Sequence, residues 1–199
     1  MTTGDPGGPP PTLPDYLRPG LRLVFVGINP GLSSACRGHY FARRTNRFWP
    51  ALSRSRLSAP IRAALGRAAL GPEDDARLPD FGIGFTDVVK TPSGSAADLA
   101  PAEFARGAPE LLRKLEWAAP SVACFQGITG YRAFVRHGLG EDARGARLGL
   151  QPRRLGPSLL FVVPNPSPAN AHVTPAEQVA WYDRLADLLD DPAGVAAPE

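Results

Sequence analysis

Residues Leu21–Ile28 read LRLVFVGI, and the chain runs from them directly into Asn29-Pro30-Gly31-Leu32-Ser33-Ser34. Apart from Arg22, the first stretch is apolar or glycine and rich in β-branched side chains. A strand covered by helices on both faces has this composition, because neither face of such a sheet meets water. Asn-Pro and Pro-Gly then force a turn. A buried strand ending in a stiff polar turn is a building unit of an open α/β sheet, and such sheets hold ligands beyond the carboxyl ends of their strands.

The same pattern recurs along the chain. Gly82–Val89 (GIGFTDVV), Ser121–Gln126 (SVACFQ) and Leu159–Pro164 (LLFVVP) are further strand candidates. Helical patterns lie between and after them. Thr174-Pro175-Ala176-Glu177 is a capping box with proline at the first helical position, and it predicts a helix toward Leu189. Ala102–Trp117 carries Phe104, Leu111, Leu112 and Leu115 at helical spacing, with Pro109 leaving its start open. Thr129–His137 predicts a short helix closed by Gly138, and 46–56 and 60–69 predict two more. Gly140–Pro157, rich in arginine and glycine, reads as a loop or hairpin. The expectation is one α/β domain with a mainly parallel sheet over 16–190. Pro/Gly-rich residues 1–15 and residues 191–199 are expected to be loose tails.

A length of 199 residues suits one domain with a real core. No apolar run is long enough for a membrane helix, and the N-terminus lacks the basic and apolar regions of a signal peptide. Cys36 and Cys124 form no CxxC pair, and His39, His137 and His172 have no metal-ligand spacing. The expectations are therefore no metal, no cofactor, no membrane, a reducing cytoplasm and a monomer. The formal net charge of +3 is carried almost entirely by arginine, since Lys90 and Lys114 are the only lysines. Arginine suits phosphate through its planar, bidentate guanidinium. A net charge this small does not by itself require a nucleic acid. The acidic run Glu73-Asp74-Asp75 reads as a solvated loop.

The chemically unusual residues collect at strand ends. Gly27-Ile28-Asn29-Pro30-Gly31-Leu32-Ser33-Ser34 follows the first strand. Thr86-Asp87 and Thr91-Pro92-Ser93-Gly94-Ser95 end and follow the second, and Asn165-Pro166-Ser167-Pro168-Ala169-Asn170 follows the last. In a parallel sheet these loops converge on one rim. Gly27 and Gly31 allow close backbone approach to a ligand. Ser33, Ser34, Ser93 and Ser167 are donors for phosphate oxygens. Asn29 offers an amide for a water molecule or a base edge. Prolines 30, 166 and 168 stiffen the loops, and each loop taken alone also reads as an ordinary turn.

GINPGLSS, followed by GHYFARRTNRFWPAL, FGIGFTDVVKTPSGSAADL and NPSPAN, resembles the mismatch-specific uracil-DNA and thymine-DNA glycosylases over roughly Leu21–Leu189. The resemblance implies the uracil-DNA glycosylase fold, a three-layer sandwich with a short, mainly parallel sheet between helices. It implies a monofunctional enzyme that removes uracil from double-stranded DNA, from G:U pairs first and with G:T or other damaged bases as further substrates. The best-known uracil glycosylases carry aspartate where this chain has Asn29 and histidine where it has Asn165, which points to the mismatch-specific branch. By the resemblance, Asn29 positions the hydrolytic water and the backbone of Ile28 and Phe41 meets the flipped base. The Phe41 ring stacks on that base, with help from Tyr40. Asn165, Pro166 and Ser167 begin the loop that enters the DNA, and Pro168, Ala169 and Asn170 form its tip. Ala169 is small where relatives carry leucine, so it fills the hole left by a flipped base poorly.

Hydrolysis of an N-glycosidic bond sends the base off as an anion while the sugar gains oxocarbenium character. Asn29 is neutral and can orient water but not deprotonate it. Asp87 is the preferred candidate for the general base and Asp98 the second. Arg37, Arg43, Arg44 and Arg47, beside the pocket segment, are candidates to neutralise phosphates. Two other readings stay open: a DNA-binding protein of this fold with a slow or dead pocket, and a hydrolase of free nucleosides.

Overall fold

The computed structural model describes residues 11–192. Five strands form one sheet: β1 (Leu23–Gly27), β2 (Ile83–Asp87), β3 (Val122–Gln126), β4 (Gly149–Leu155) and β5 (Ser158–Val163). Their order is β2-β1-β3-β5-β4, parallel except for β4, which runs antiparallel to β5. Among the described residues, six α-helices surround it: α1 (Leu32–Arg37), α2 (Phe48–Arg54), α3 (Ala59–Leu65), α4 (Pro101–Ala118), α5 (Ile128–Ala133) and α6 (Pro175–Asp190). No described helix is long and apolar enough to cross a membrane.

Strand side chains alternate between two cores. Leu23, Phe25, Cys124 and Phe161 pack with Leu52, Ile61 and Tyr182, from α2, α3 and α6. Val24, Val26, Phe125 and Val162 pack with Leu111, Leu115 and Tyr131, from α4 and α5. A period of two thus sends neighbouring residues to opposite helical layers, and a three-layer sandwich results.

The four expected strands are present, and the loop-or-hairpin stretch is a hairpin whose first arm adds a fifth. The Thr174 box forms as read: its hydroxyl accepts from Glu177 N–H at 3.2 Å, and the Glu177 carboxylate accepts from Thr174 N–H at 2.7 Å. Pro109 lies inside α4, whose start is set instead by Pro101 and by Glu103 accepting from Ala100 N–H at 2.9 Å.

Two expectations need correction. Glu73-Asp74-Asp75 is not a solvated loop, because Asp74 and Asp75 are fully buried in a 3-10 segment, Pro72–Phe81. Asp74 is met locally, accepting from Gly71 N–H at 2.9 Å and lying 3.4 Å from Arg67, whereas Asp75 reaches the loop after α1. The N-terminal boundary also moves. Residues 1–10 and 193–199 of the expected tails lie outside the described residues, but Leu13 is buried and Tyr16 exchanges backbone hydrogen bonds with Phe85 at 2.9 and 3.1 Å. The segment so occupies the open edge of β2, where unpaired strand groups would otherwise face solvent.

Candidate active site

The carboxyl ends of β1, β2, β3 and β5 open onto one cavity of about 450 Å³, within the size range of small-ligand sites. The loops after β1 and β2 are joined through their backbones. Leu32 N–H donates to Ser93 carbonyl at 3.0 Å, and Ser93 N–H donates to Pro30 carbonyl at 3.1 Å. This pairing fixes Asn29. Its Nδ2 donates to Ser93 Oγ at 2.8 Å and to Thr91 carbonyl at 3.0 Å. With the nitrogen committed to the β2 loop, the carbonyl oxygen is the atom of the amide left to hold a water molecule.

Asp87 ends β2 in register with Gly27, and the missing side chain at Gly27 makes the site possible. A Cβ there would stand 2.3 Å from Asp87 Oδ1 and 3.8 Å from Phe41 Cζ. The carboxylate and the aromatic ring therefore meet across bare strand backbone. Asp87 is only 3% exposed. Burial pushes its carboxyl up to about 6, with Asp15 pushing the same way, while Lys90 and the Tyr40 hydroxyl pull it down. A carboxyl poised near neutral pH is suited to take up a proton.

Phe41 has φ +54°, an uncommon conformation for a residue with a side chain. Three side chains hold this segment. Asp75 accepts from Tyr40 N–H at 2.8 Å, Trp49 Nε1 donates to Tyr40 carbonyl at 2.8 Å, and Ser34 Oγ accepts from Ala42 N–H at 2.9 Å. One face of the Phe41 ring stacks on Phe48, centroids 4.2 Å apart, and the ring lines the cavity. Backbone strain of this kind costs of order 1–3 kcal/mol and persists only where its surroundings enforce it.

Most residues singled out in the sequence line this cavity: Gly27, Ile28, Asn29, Gly31 and Ser34 from the first loop, Tyr40 and Phe41 from the second, Asp87 from β2, and Asn165, Ser167, Pro168, Ala169 and Asn170 from the last loop. Several take parts other than those expected. The Tyr40 ring is 1% exposed and stacks on Phe85, so it supports the wall instead of meeting a base with an open face. The Ile28 carbonyl accepts from Val89 N–H at 2.9 Å, which leaves it sheet-bound. Ser34 serves as a backbone clamp, while Ser33, Pro166 and Asp98 do not line the cavity. Asp98 caps a short turn, accepting from Ser95 N–H at 2.8 Å, because its residue spacing matches a capping box.

Arg47 also departs from the expected phosphate role. Its guanidinium donates to the carbonyls of Ser167 at 2.8 Å, Asn170 at 2.6 Å and Val173, and its N–H donates to Pro166 carbonyl at 3.0 Å. Carbonyls from the last loop converge there, and a guanidinium has donors enough for all of them. Arg37 donates to Ala42 carbonyl at 3.2 Å. Arg43 and Arg44 remain exposed, Arg43 on the cavity wall.

Two contributors escaped the sequence reading. Gln126, the last residue of β3, is buried, lines the cavity and accepts from the Tyr182 hydroxyl at 3.0 Å. Its place at a strand's carboxyl end was the available signal. Asp75, thirty-five residues from Tyr40, carried none. Among the described residues no cluster of histidine, cysteine and carboxylates could hold a metal ion, and both cysteines are free.

An α/β sheet with a carboxylate, a fixed amide and an aromatic ring gathered at its strand ends has the layout of a small-ligand site in an open α/β fold. Residues 14–186 match the family model of the uracil DNA glycosylase superfamily. The chain belongs to that superfamily, whose members act on DNA. A candidate uracil DNA glycosylase from Methanosarcina acetivorans, solved by NMR in solution, shares the fold: TM-score 0.52 and 20% identity, over 91% of this chain and 98% of that one.

Proposed function

We propose that this protein is a monofunctional, mismatch-specific uracil-DNA glycosylase that flips uracil, from G:U pairs first, out of duplex DNA and leaves an abasic site. The carrying observation is the meeting of Asp87, Asn29 and Phe41 around the bare backbone of Gly27. An enzyme of this kind must take the nucleotide out of the stack before chemistry. The flipped base stacks on Phe41. Asn29 Oδ1 holds a water molecule against C1′ of the sugar. As the C1′–N1 bond breaks, the bonding pair leaves with N1. The water oxygen bonds to C1′ and its proton passes to Asp87, which later releases it to the base anion or to solvent. The ionised carboxylate would repel uracil O2 and O4, so water activation is a better use of it than base recognition, and bases with other edges are tolerated.

The test is incubation of the protein with a duplex carrying one G:U pair, with chelator present, followed by alkaline scission of the strand. Scission at the uracil site is expected. Tight duplex binding without scission would favour a binding protein of the same fold, and cleavage of free uridine alone would favour a nucleoside hydrolase. Activity lost in chelator and restored by a metal ion would overturn the metal-free mechanism.

A further inference from the structure

Asp87 faces two ways. It lines the main cavity and also a smaller one behind β2 with Lys90, Arg106 and Lys114, while its Oδ2 is fully buried. On that rear side Lys90 Nζ lies 3.6 Å from Asp87 Oδ2, 2.9 Å from Asp15 Oδ1 and 3.1 Å from the Tyr40 hydroxyl. Asp15 comes from the N-terminal segment and meets the only other lysine as well: Lys114 Nζ is 2.6 Å from Asp15 Oδ2, and the Thr86 hydroxyl donates to Asp15 Oδ1 at 2.7 Å. The segment is held close. A Cβ at Gly84 would fall 2.4 Å from Tyr16 carbonyl, so only glycine lets this chain lie against β2.

One ammonium is therefore shared between two carboxylates, and its shorter contact is to the one outside the active cavity. We propose that Lys90 and Asp15 are positioning residues that set the ionisation of Asp87 from behind, Lys90 favouring the carboxylate and Asp15 opposing it. The proposal rests on Asp87 as the base of the glycosylase reaction. The charged and titratable groups acting on Asp87 are Lys90 from its own loop, Asp15 from the N-terminal segment and Tyr40 from the loop after α1; α4 adds Glu103, Arg106 and Glu110 to the rear cavity, and its Lys114 neutralises the far oxygen of Asp15.

The signs follow from charge. An opposite charge within about 4–6 Å favours an ionised carboxylate and a like charge disfavours it, by about one pH unit or more. Burial pushes Asp15 upward, but Lys90, Lys114 and the Thr86 hydroxyl outweigh it and hold Asp15 below the usual carboxylate range. Asp15 therefore stays charged where Asp87 titrates. It repels the charge on Asp87 and draws Lys90 toward itself.

The experiment measures single-turnover excision from a G:U duplex against pH for the full chain and three variants, with the Asp87 carboxyl titrated in parallel by carbon-13 NMR. Lys90→Met is expected to move the acid limb up by about one pH unit, lowering the rate at pH 6 about fivefold. Asp15→Asn is expected to move it down by a similar amount, raising the rate at pH 5 about fivefold. Lys90→Arg keeps the charge and should leave the limb in place. A merely structural role would slow all pH values alike and could not produce opposite shifts. Should Lys90→Met fail to fold, Lys90→Gln keeps a polar end of similar reach and carries the same expectation. NMR titrations of Asp87 that stay put, or move in one direction in both variants, would overturn the proposal. Titrations that move oppositely while the rate limbs do not would uphold it and overturn Asp87 as the base.

Discussion

The two halves of the cavity are built differently. The half formed by β1, β2 and the Phe41 loop is buried and clamped from several neighbouring elements: the Ser93 hydroxyl and the Thr91 carbonyl on Asn29, and the side chains of Asp75, Trp49 and Ser34 around Phe41. The half formed by Asn165–Asn170 stands in solvent at Pro168 and Ala169 and depends mainly on one guanidinium, that of Arg47, with Asn165 turning back on Ser167 N–H at 2.9 Å. Preorganised groups belong where charge develops in the reaction, because they do not reorganise when the bond breaks. In the proposed function this loop enters DNA, which needs reach and a defined base, and a single anchor at its root supplies both.

The sharpest way to break this contrast is at the base itself. Asp87→Asn should slow single-turnover excision about 100- to 10,000-fold, at least as much as Asn29→Ala, with duplex binding little changed. The pH–rate profile carries the sign. As the proposed base Asp87 must be ionised to accept a proton, so the parent rate is expected to fall below about pH 6 and the limb to vanish in the variant. Excision at the parent rate by Asp87→Ala would leave Asn29 acting by water placement alone.

Next is the clamp. Asp75→Ala removes the acceptor of a buried N–H and frees a non-glycine residue from an uncommon conformation. A loss of about 1–3 kcal/mol in denaturant unfolding is expected, together with slower excision even at saturating enzyme. An unchanged rate would mean the Phe41 loop holds its shape without it.

The smallest effect separates the arginines. Binding to abasic duplex should weaken steeply with salt, and Arg43→Ala and Arg44→Ala should each reduce the logarithmic salt slope by about one. Arg47→Met should weaken binding with the slope nearly unchanged, since its donors face carbonyls of its own chain. Equal slopes for Arg44→Ala and the parent would return Arg44 to plain solvated surface.

The strands, their burial on both faces and the convergence of the Asn29, Asp87 and Asn165 loops were readable in the sequence. Each follows from local rules: apolar runs make covered strands, Asn-Pro turns end them, and a parallel sheet collects those turns on one rim. The capping box at Thr174 was readable for the same reason, since its partners lie three residues apart. The roles of charged residues were not. Asp75, Asp15 and Arg47 meet their partners 35, 75 and up to 126 residues away, and a charge in an exposed-looking run carries no mark of the backbone group it will serve. Local pattern settled which backbone would be strand or helix. Only tertiary packing settled which charges would be buried, because burial of a charge depends on whether the rest of the fold brings it a partner.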